Sequence, residues 1–371
     1  MFKKSESPRE PKFGLANFKQ KTLLIFLFIL LNIAVIAATA MVEFSNPKEV
    51  ADLSKASINW WLIVPAALCF YVAIYIEIHK YVIMIKEMYK ERGGYDAKKM
   101  RKLASRTVLL GKYYDNITPA AIGGQPFQIY YMRKNSGLSK GNSTSIPILG
   151  MITGQIGFLI VAPICFIFGS HLINNPVLIT TAWFGLLFYA FWPIVIASAT
   201  FFPRQTTTVI KFIIKTLAKI RIVKNQKNAL EKVETEISEY VKSVKKIVKS
   251  RALFIKTIVY SVCFNLLIAS IPFFVLKAFG GNTDYWICLT TTIAVMAAVY
   301  FVPTPGNAGA AEGTFFLVFS GLSSGYVFWA MLAWRFFSYY IYIIIGPVIY
   351  SQIHFENKKA KTDEEPKKIN T

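Results

Sequence analysis

Apolar residues in this chain gather into runs that are too long for the core of a water-soluble domain: 22–42, 58–80, 144–169, 177–202, 253–277 and 326–350. A helix needs roughly 20 apolar residues to cross the hydrocarbon of a bilayer, so each run predicts a membrane span. The first run is long enough to cross the bilayer and is expected to be a retained span rather than a removed signal peptide. Two more apolar stretches, 107–132 and 285–322, are interrupted by Pro and Gly. Between the fourth and fifth runs, 204–252 is polar with a helical period. Leu230, Val233, Ile237, Tyr240, Val244 and Ile247 recur every three to four residues, which predicts a helix with one apolar stripe. Upstream, Val209, Phe212, Ile213, Leu217 and Ile220 alternate with Lys211, Lys215 and Lys219, a pattern suited to a helix lying on anionic lipid. The polar ends, 1–12 and 357–371, are expected to be disordered.

The two interruptions share a motif. Thr118-Pro119-Ala120-Ala121-Ile122-Gly123-Gly124 and Thr304-Pro305-Gly306-Asn307-Ala308-Gly309-Ala310 both read Thr-Pro-x-x-x-Gly-small. Pro removes an amide donor and Gly permits turn geometry, so Pro119, Gly123, Gly124, Pro303, Pro305, Gly306 and Gly309 mark broken helices. Hydrocarbon tolerates broken backbone only where protein packs around it or water reaches it.

Charge turns these segments into a topology. The net charge is +22, and all but four of the 42 Lys and Arg residues fall at 1–21, 80–112, 133–140, 204–256 and 351–371. The exceptions are Lys48, Lys55, Lys277 and Arg335. Alternate loops are therefore basic, the positive-inside pattern, which predicts both termini in the cytoplasm of a multi-pass cell-membrane protein. Basic segments beside a membrane serve topology and lipid adhesion, so nucleic acid is not an expected partner. Stretch 107–132 has basic flanks on both sides and must re-enter from the inside. Stretch 285–322, charged only at Glu312, follows an external loop and should re-enter from the outside.

The expectation is an all-α integral membrane protein with six full spans and two re-entrant broken-helix hairpins in an inverted-topology repeat. Residues 1–21 form a cytoplasmic tail, 22–169 the first repeat, 177–350 the second with its insert at about 204–252, and 351–371 a basic cytoplasmic tail. Paired helix breaks in the two halves of a membrane protein point to a transport site.

Candidate chemistry is sparse. Cys69, Cys165, Cys263 and Cys288 stand singly in apolar sequence, as do His79, His171 and His354, so neither a disulfide framework nor a metal site is expected. No nucleophile motif, paired Cys or phosphate loop is present, and no cofactor is expected. Ionisable groups inside spans are functional candidates by default. Arg335 lies within the last run, able to pair bidentately with a carboxylate or a lipid phosphate, and Glu312 is its expected partner. A static structural pair is the alternative. Asp115 and Asn116 precede the first break, and Gln125 and Gln128 follow it. Together with Asn307 they are candidates to bind substrate, where a broken helix offers amide donors to an anion. Local capping is the alternative for Gln125 and Asn307. Gln155 and Asn265 are expected to hydrogen-bond between helices.

Tyr113-Tyr114-Asp115-Asn116-Ile117-Thr118-Pro119, followed by Gly123-Gly124-Gln125-Pro126-Phe127-Gln128, resembles the first signature of the lysylphosphatidylglycerol synthase membrane-region family. Val302-Pro303-Thr304-Pro305-Gly306-Asn307-Ala308-Gly309 with Glu312 resembles the second, and Arg335-Phe336-Phe337 with Gly346-Pro347 the last-span pattern. Many family members carry Asp and Arg where this chain has Gln125 and Gln128. In the two-part members, the multiple peptide resistance factors, this region flips aminoacylated lipid that a separate cytoplasmic domain makes from aminoacyl-tRNA. Only 21 residues, mostly polar, follow Tyr350, so a stand-alone member without the synthase domain is expected.

The resemblance implies a flippase-like translocase for an aminoacylated, other anionic or zwitterionic phospholipid, or for a lipid-linked headgroup, without enzymatic activity of its own. One alternative is the family's enzymatic activity, lysyl transfer from lysyl-tRNA to phosphatidylglycerol, tied to resistance against cationic antimicrobial peptides. Another is a scaffold for a separate lipid-modifying synthase or glycosyltransferase.

Overall fold

A computed structural model describes residues 58–90, 93, 96–119, 121, 123–173, 175–202, 241–242, 244–300, 302–320 and 327–364, with isolated positions elsewhere. The run at 22–42 and most of the basic insert lie outside the described residues. Among those described, every regular element is a helix. They are α1 (Ile63–Tyr89), α2 (Ala97–Ile117), α3 (Gly124–Asn135), α4 (Lys140–Gly169), α5 (Pro176–Phe201), α6 (Arg251–Ala278), α7 (Tyr285–Val299), α8 (Ala310–Ser320), α9 (Val327–Arg335) and α10 (Ile341–Glu364). A π-helical turn, Phe336–Tyr340, joins α9 to α10. Polar caps start several helices: Asp96 accepts from the Lys98 and Lys99 amides, Asp284 from Trp286 and Ile287, and Ser139 from Asn142.

Among the described residues, four helical stretches are long and apolar enough to cross a membrane: Trp60–Tyr89, Lys140–Leu172, Arg251–Ala278 and Val327–Glu356. They coincide with four of the six runs. The run at 177–202 is helical as α5, whose Pro176–Phe191 portion is a shorter apolar helix. The sequence expectation for the C-terminal end needs correction. Residues 357–364 do not begin a disordered tail; they continue α10 to Glu364. Farther back on that helix, Glu356 pairs with Lys102 at 2.7 Å and with Arg106 at 2.7 Å, tying α10 to α2.

Large apolar side chains face outward in stripes. On α1 these are Val64, Leu68, Tyr71 and Tyr75; on α4, Ile160, Ile164 and Ile167; on α5, Phe184, Leu187, Phe191 and Ile194. Their spacing of three, four or seven residues is one helix face, and so much exposed apolar surface suits hydrocarbon rather than water. Proline within α4 (Pro147, Pro163), α6 (Pro272) and α10 (Pro347) fits the same setting. Small residues bring helices close. A Cβ added at Gly157 of α4 would run into Ser261 of α6, and one at Gly185 of α5 would strike the Ala297 carbonyl of α7.

Two apolar clusters form the core. One joins the second half of α1 to α2, α3 and the start of α4, through Met84, Ile85, Met88, Leu103, Val108, Met132 and Leu149. Val244 and Ile247, two positions of the predicted insert stripe, are buried in it. The other collects the rest of α4 with α5 to α9, through Phe158, Phe166, Val275, Ile293, Phe315, Phe319, Phe328 and Trp334. Each helix–break–helix unit belongs to a different cluster: α2–α3 to the first, α7–α8 to the second. Cys165 and Cys288 are buried packing residues of the second cluster.

Candidate functional site

The two broken motifs meet. Pro119 and Pro305 form an isolated antiparallel β-bridge. Neither proline has an amide hydrogen to donate to the other. Each unit is a helix, a few residues of irregular chain and a second helix, as the paired motifs predict. Each break also needs left-handed backbone, at Ala121 (φ 51°) in the first and at Gly306 (φ 57°), Asn307 (φ 56°) and Gly309 (φ 88°) in the second.

At the first break, side chains from α2 cap the N-terminus of α3. The Gly124 amide donates to Asp115 Oδ1 (2.9 Å), and the Gly123 amide donates to Thr118 Oγ1 (2.8 Å). Thr118 in turn donates to the Tyr114 carbonyl (2.7 Å). Both glycines are required by contact: a Cβ at Gly123 would overlap Thr118, and one at Gly124 would overlap Asp115. Gln128, one turn into α3, is buried against Gly111 and accepts from the Tyr81 hydroxyl (3.1 Å).

At the second break a buried ion pair does the equivalent work. Glu312 Oε2 accepts from the Gly309 amide (2.7 Å), capping α8, while Oε1 accepts from Arg335 Nε (2.6 Å). Glu312 is 1% exposed and Arg335 4%. Both terminal guanidinium nitrogens lie 3.4 Å from the Gly306 carbonyl, and the Trp334 and Tyr339 rings lie 5.6 and 4.9 Å from the guanidinium carbon. Arg335 therefore binds the turn itself as well as the carboxylate. Gly306 packs on the Tyr339 ring and beside Asn116 Oδ1 of the first unit, so Asn116 contributes at the junction. Thr304 closes its turn by donating to the Ala308 carbonyl (2.8 Å).

Asp115, Asn116, Gln125 and Gln128 thus stand around the first break and Asn307, Glu312 and Arg335 around the second, with the two in backbone contact. Pro303 leads into the second break. Gln155 reaches Tyr300 beyond α7 (3.5 Å), whereas Asn265 bonds within its own helix to the Ser261 carbonyl (2.8 Å) instead of across helices.

Sequence reasoning missed Lys80 and Glu77. Lys80 was grouped with the cytoplasmic cations, yet it is 1% exposed. Its Nζ meets Glu77 Oε2 (2.8 Å), the Gly150 carbonyl (3.2 Å) and Ser261 Oγ (3.1 Å). Three acceptors match the three donors of an ammonium. The available signal was an acidic and a basic residue three apart inside an apolar run, the spacing of a helix-face pair.

A protein-family model described as Lysylphosphatidylglycerol synthase TM region matches residues 22–346. The chain belongs to this family. Membership agrees with the outward apolar stripes and the long apolar helices, and it assigns this membrane protein a lipid-related role. Among curated proteins and among solved structures, none matches the chain.

Gly306 offers a direct check on the second break. Ala there would combine positive φ with a Cβ inside the Tyr339 ring, whereas Gly280 (φ 81°) has open space around it. Gly306→Ala is expected to lose about 2–3 kcal/mol and Gly280→Ala about 1 kcal/mol. Thermal unfolding in detergent reads the difference, and equal losses would contradict the contact.

Proposed function

We propose that this member of the family is a lipid translocase of the cell membrane, with both termini cytoplasmic. The α2–α3 and α7–α8 units act as re-entrant hairpins that enter from opposite faces, within an inverted repeat of six spans. A headgroup passes between the breaks while the acyl tails stay in the bilayer. One observation carries this reading: the two matching breaks, far apart in sequence, pair at Pro119 and Pro305 with ionisable side chains buried beside them. Broken helices that meet inside a membrane protein are the architecture of a transport site. The headgroup belongs to an aminoacylated, other anionic or zwitterionic phospholipid, or to a lipid-linked head. The partners expected on this reading are those lipids and a separate enzyme that modifies them.

Purified protein reconstituted into vesicles, with a tail-labelled phospholipid confined to one leaflet, tests the proposal. Label should reach the other leaflet faster than in protein-free vesicles. Equal rates for a panel of anionic, zwitterionic and glycosylated lipids with and without protein would refute it.

A further inference from the structure

Ala66, Ala73, Lys80 and Met84 follow one another along α1 at spacings of seven, seven and four residues, and all four are buried, so they mark its inward face. Glu77 stands on that face, four residues after Ala73 and three before Lys80, opposite the outward stripe of Val64, Leu68, Tyr71 and Tyr75. Its side chain nevertheless keeps 13% exposure, against 1% for Lys80. The carboxylate therefore opens onto a recess inside the bundle, with its counter-charge sealed behind it. Tyr189 of α5 and Tyr342 of α10 lie within electrostatic reach of the Glu77 charge. Tyr189 in turn meets the ring of Tyr300, the residue that follows α7, edge to face at 4.2 Å.

Contacts lead from this pair to the first break. Lys80 Nζ donates to the Gly150 carbonyl (3.2 Å) and to Ser261 Oγ (3.1 Å), which ties α1 to α4 and α6. The ring of Tyr81, the next residue, covers Gly150, and its hydroxyl donates to Gln128 Oε1 of α3 at 3.1 Å. Gln128 lies over Gly111 of α2, whose carbonyl packs on Gly124 at the break. The other charged groups that reach Lys80 and Tyr81 are Lys112 and Asp115 of α2. Between Lys140 and Cys165, α4 has no ionisable side chain, and Lys256 and Tyr260 of α6 meet His79 on another face of α1. A neutralised Glu77 would leave Lys80 as a buried charge without its partner, which is costly. The junction must then rearrange, and Tyr81 and Gln128 carry the change to the first break. Ionisable residues inside spans mark proton relays in pumps and transporters. Resting on the translocase reading above, we infer that Glu77 is a proton-binding site that couples lipid movement to a proton gradient. Its carboxylate takes a proton from water on one side of the membrane, forming one O–H bond. The same bond breaks on the other side once the first break has shifted, so one proton crosses in each cycle.

The test uses the full chain in vesicles carrying tail-labelled phosphatidylglycerol or phosphatidylcholine, with potassium and valinomycin holding the membrane potential at zero. A pH difference of about one unit should shift the steady distribution of label between leaflets about tenfold beyond that in protein-free vesicles, the ratio set by one proton per lipid. Reversing the gradient should reverse the shift, and a protonophore should abolish it. Glu77→Asp keeps an ionisable group and should retain the response. Glu77→Gln with Lys80→Met removes both charges and should still move label, with no response to the gradient. Label that moves but ignores the gradient in the unchanged chain would overturn the inference and keep the translocase. A double variant that responds to the gradient as the unchanged chain does would overturn the assignment to Glu77. If no lipid moves, the translocase reading falls, and infrared spectra of the detergent-solubilised protein decide Glu77 separately. A protonated-carboxyl band that appears on acidification and is missing from the double variant would keep Glu77 as a proton site. Identical spectra for the two proteins would overturn it.

Discussion

Arg335→Ala is expected to remove about 3–5 kcal/mol of stability, because it strands the Glu312 carboxylate without a counter-charge in a site where that side chain is 1% exposed. The loss reaches further than one pair. Arg335 also holds the Gly306 carbonyl, and Glu312 caps α8 through the Gly309 amide, so both sides of the second break loosen together. A single substitution therefore cannot separate a transport role from a structural one, since lost lipid movement would follow from either. The paired variant Glu312→Gln with Arg335→Met separates them. It removes both charges, retains an amide oxygen to accept from Gly309, and replaces a buried ion pair with groups of similar size, an exchange that is often neutral or stabilising. Its thermal midpoint should return close to that of the unchanged protein. If the charges act on the headgroup, lipid movement in vesicles should stay at the protein-free rate. Restored movement alongside restored stability would make the pair a structural clasp and nothing more.

What could be read from sequence follows from which interactions are local. The apolar runs behind α1, α4, α6 and the α9–α10 segment were visible because bilayer thickness imposes a length on each helix. The breaks were visible because Pro and Gly act on their own backbone, and the Glu312–Arg335 pair because two charges in hydrocarbon have few partners to choose from. Contact between Pro119 and Pro305 was not legible, since a repeated motif carries no distance. The π turn left no trace either: Phe336-Phe337-Ser338-Tyr339-Tyr340 has the composition of an ordinary span, and the turn lies where Arg335 and Tyr339 pack against Gly306, a contact between distant segments. Helical continuation to Glu364 was missed because composition alone marked the segment as polar tail.

Lys80 shows the same limit and yields the other large expected effect. Its charge was counted with the inner-face cations because it stands near the end of an apolar run, where a lysine can snorkel to water. Instead its Nζ turns inward, and the helices it joins are α1, α4 and α6, three of the four long apolar stretches, which pack on one another. Lys80→Met is expected to cost about 3–5 kcal/mol, leaving Glu77 without its counter-charge and removing the ammonium from the Ser261 hydroxyl and from the Gly150 carbonyl, which keeps the Thr153 hydroxyl as a donor. Lys80→Arg should be damaging as well. Gly150 packs directly on the Tyr81 ring and Gly154 lies beside the ammonium, so the larger guanidinium has no room to turn. Glu77→Gln with Lys80→Met should recover most of the loss, because two neutral groups of similar shape replace the pair. Thermal unfolding of the four variants in one detergent reads all of this. A Lys80→Met protein as stable as the unchanged chain would mean that the side chain reaches water after all, and with it the case for a polar clasp between the three spans would go.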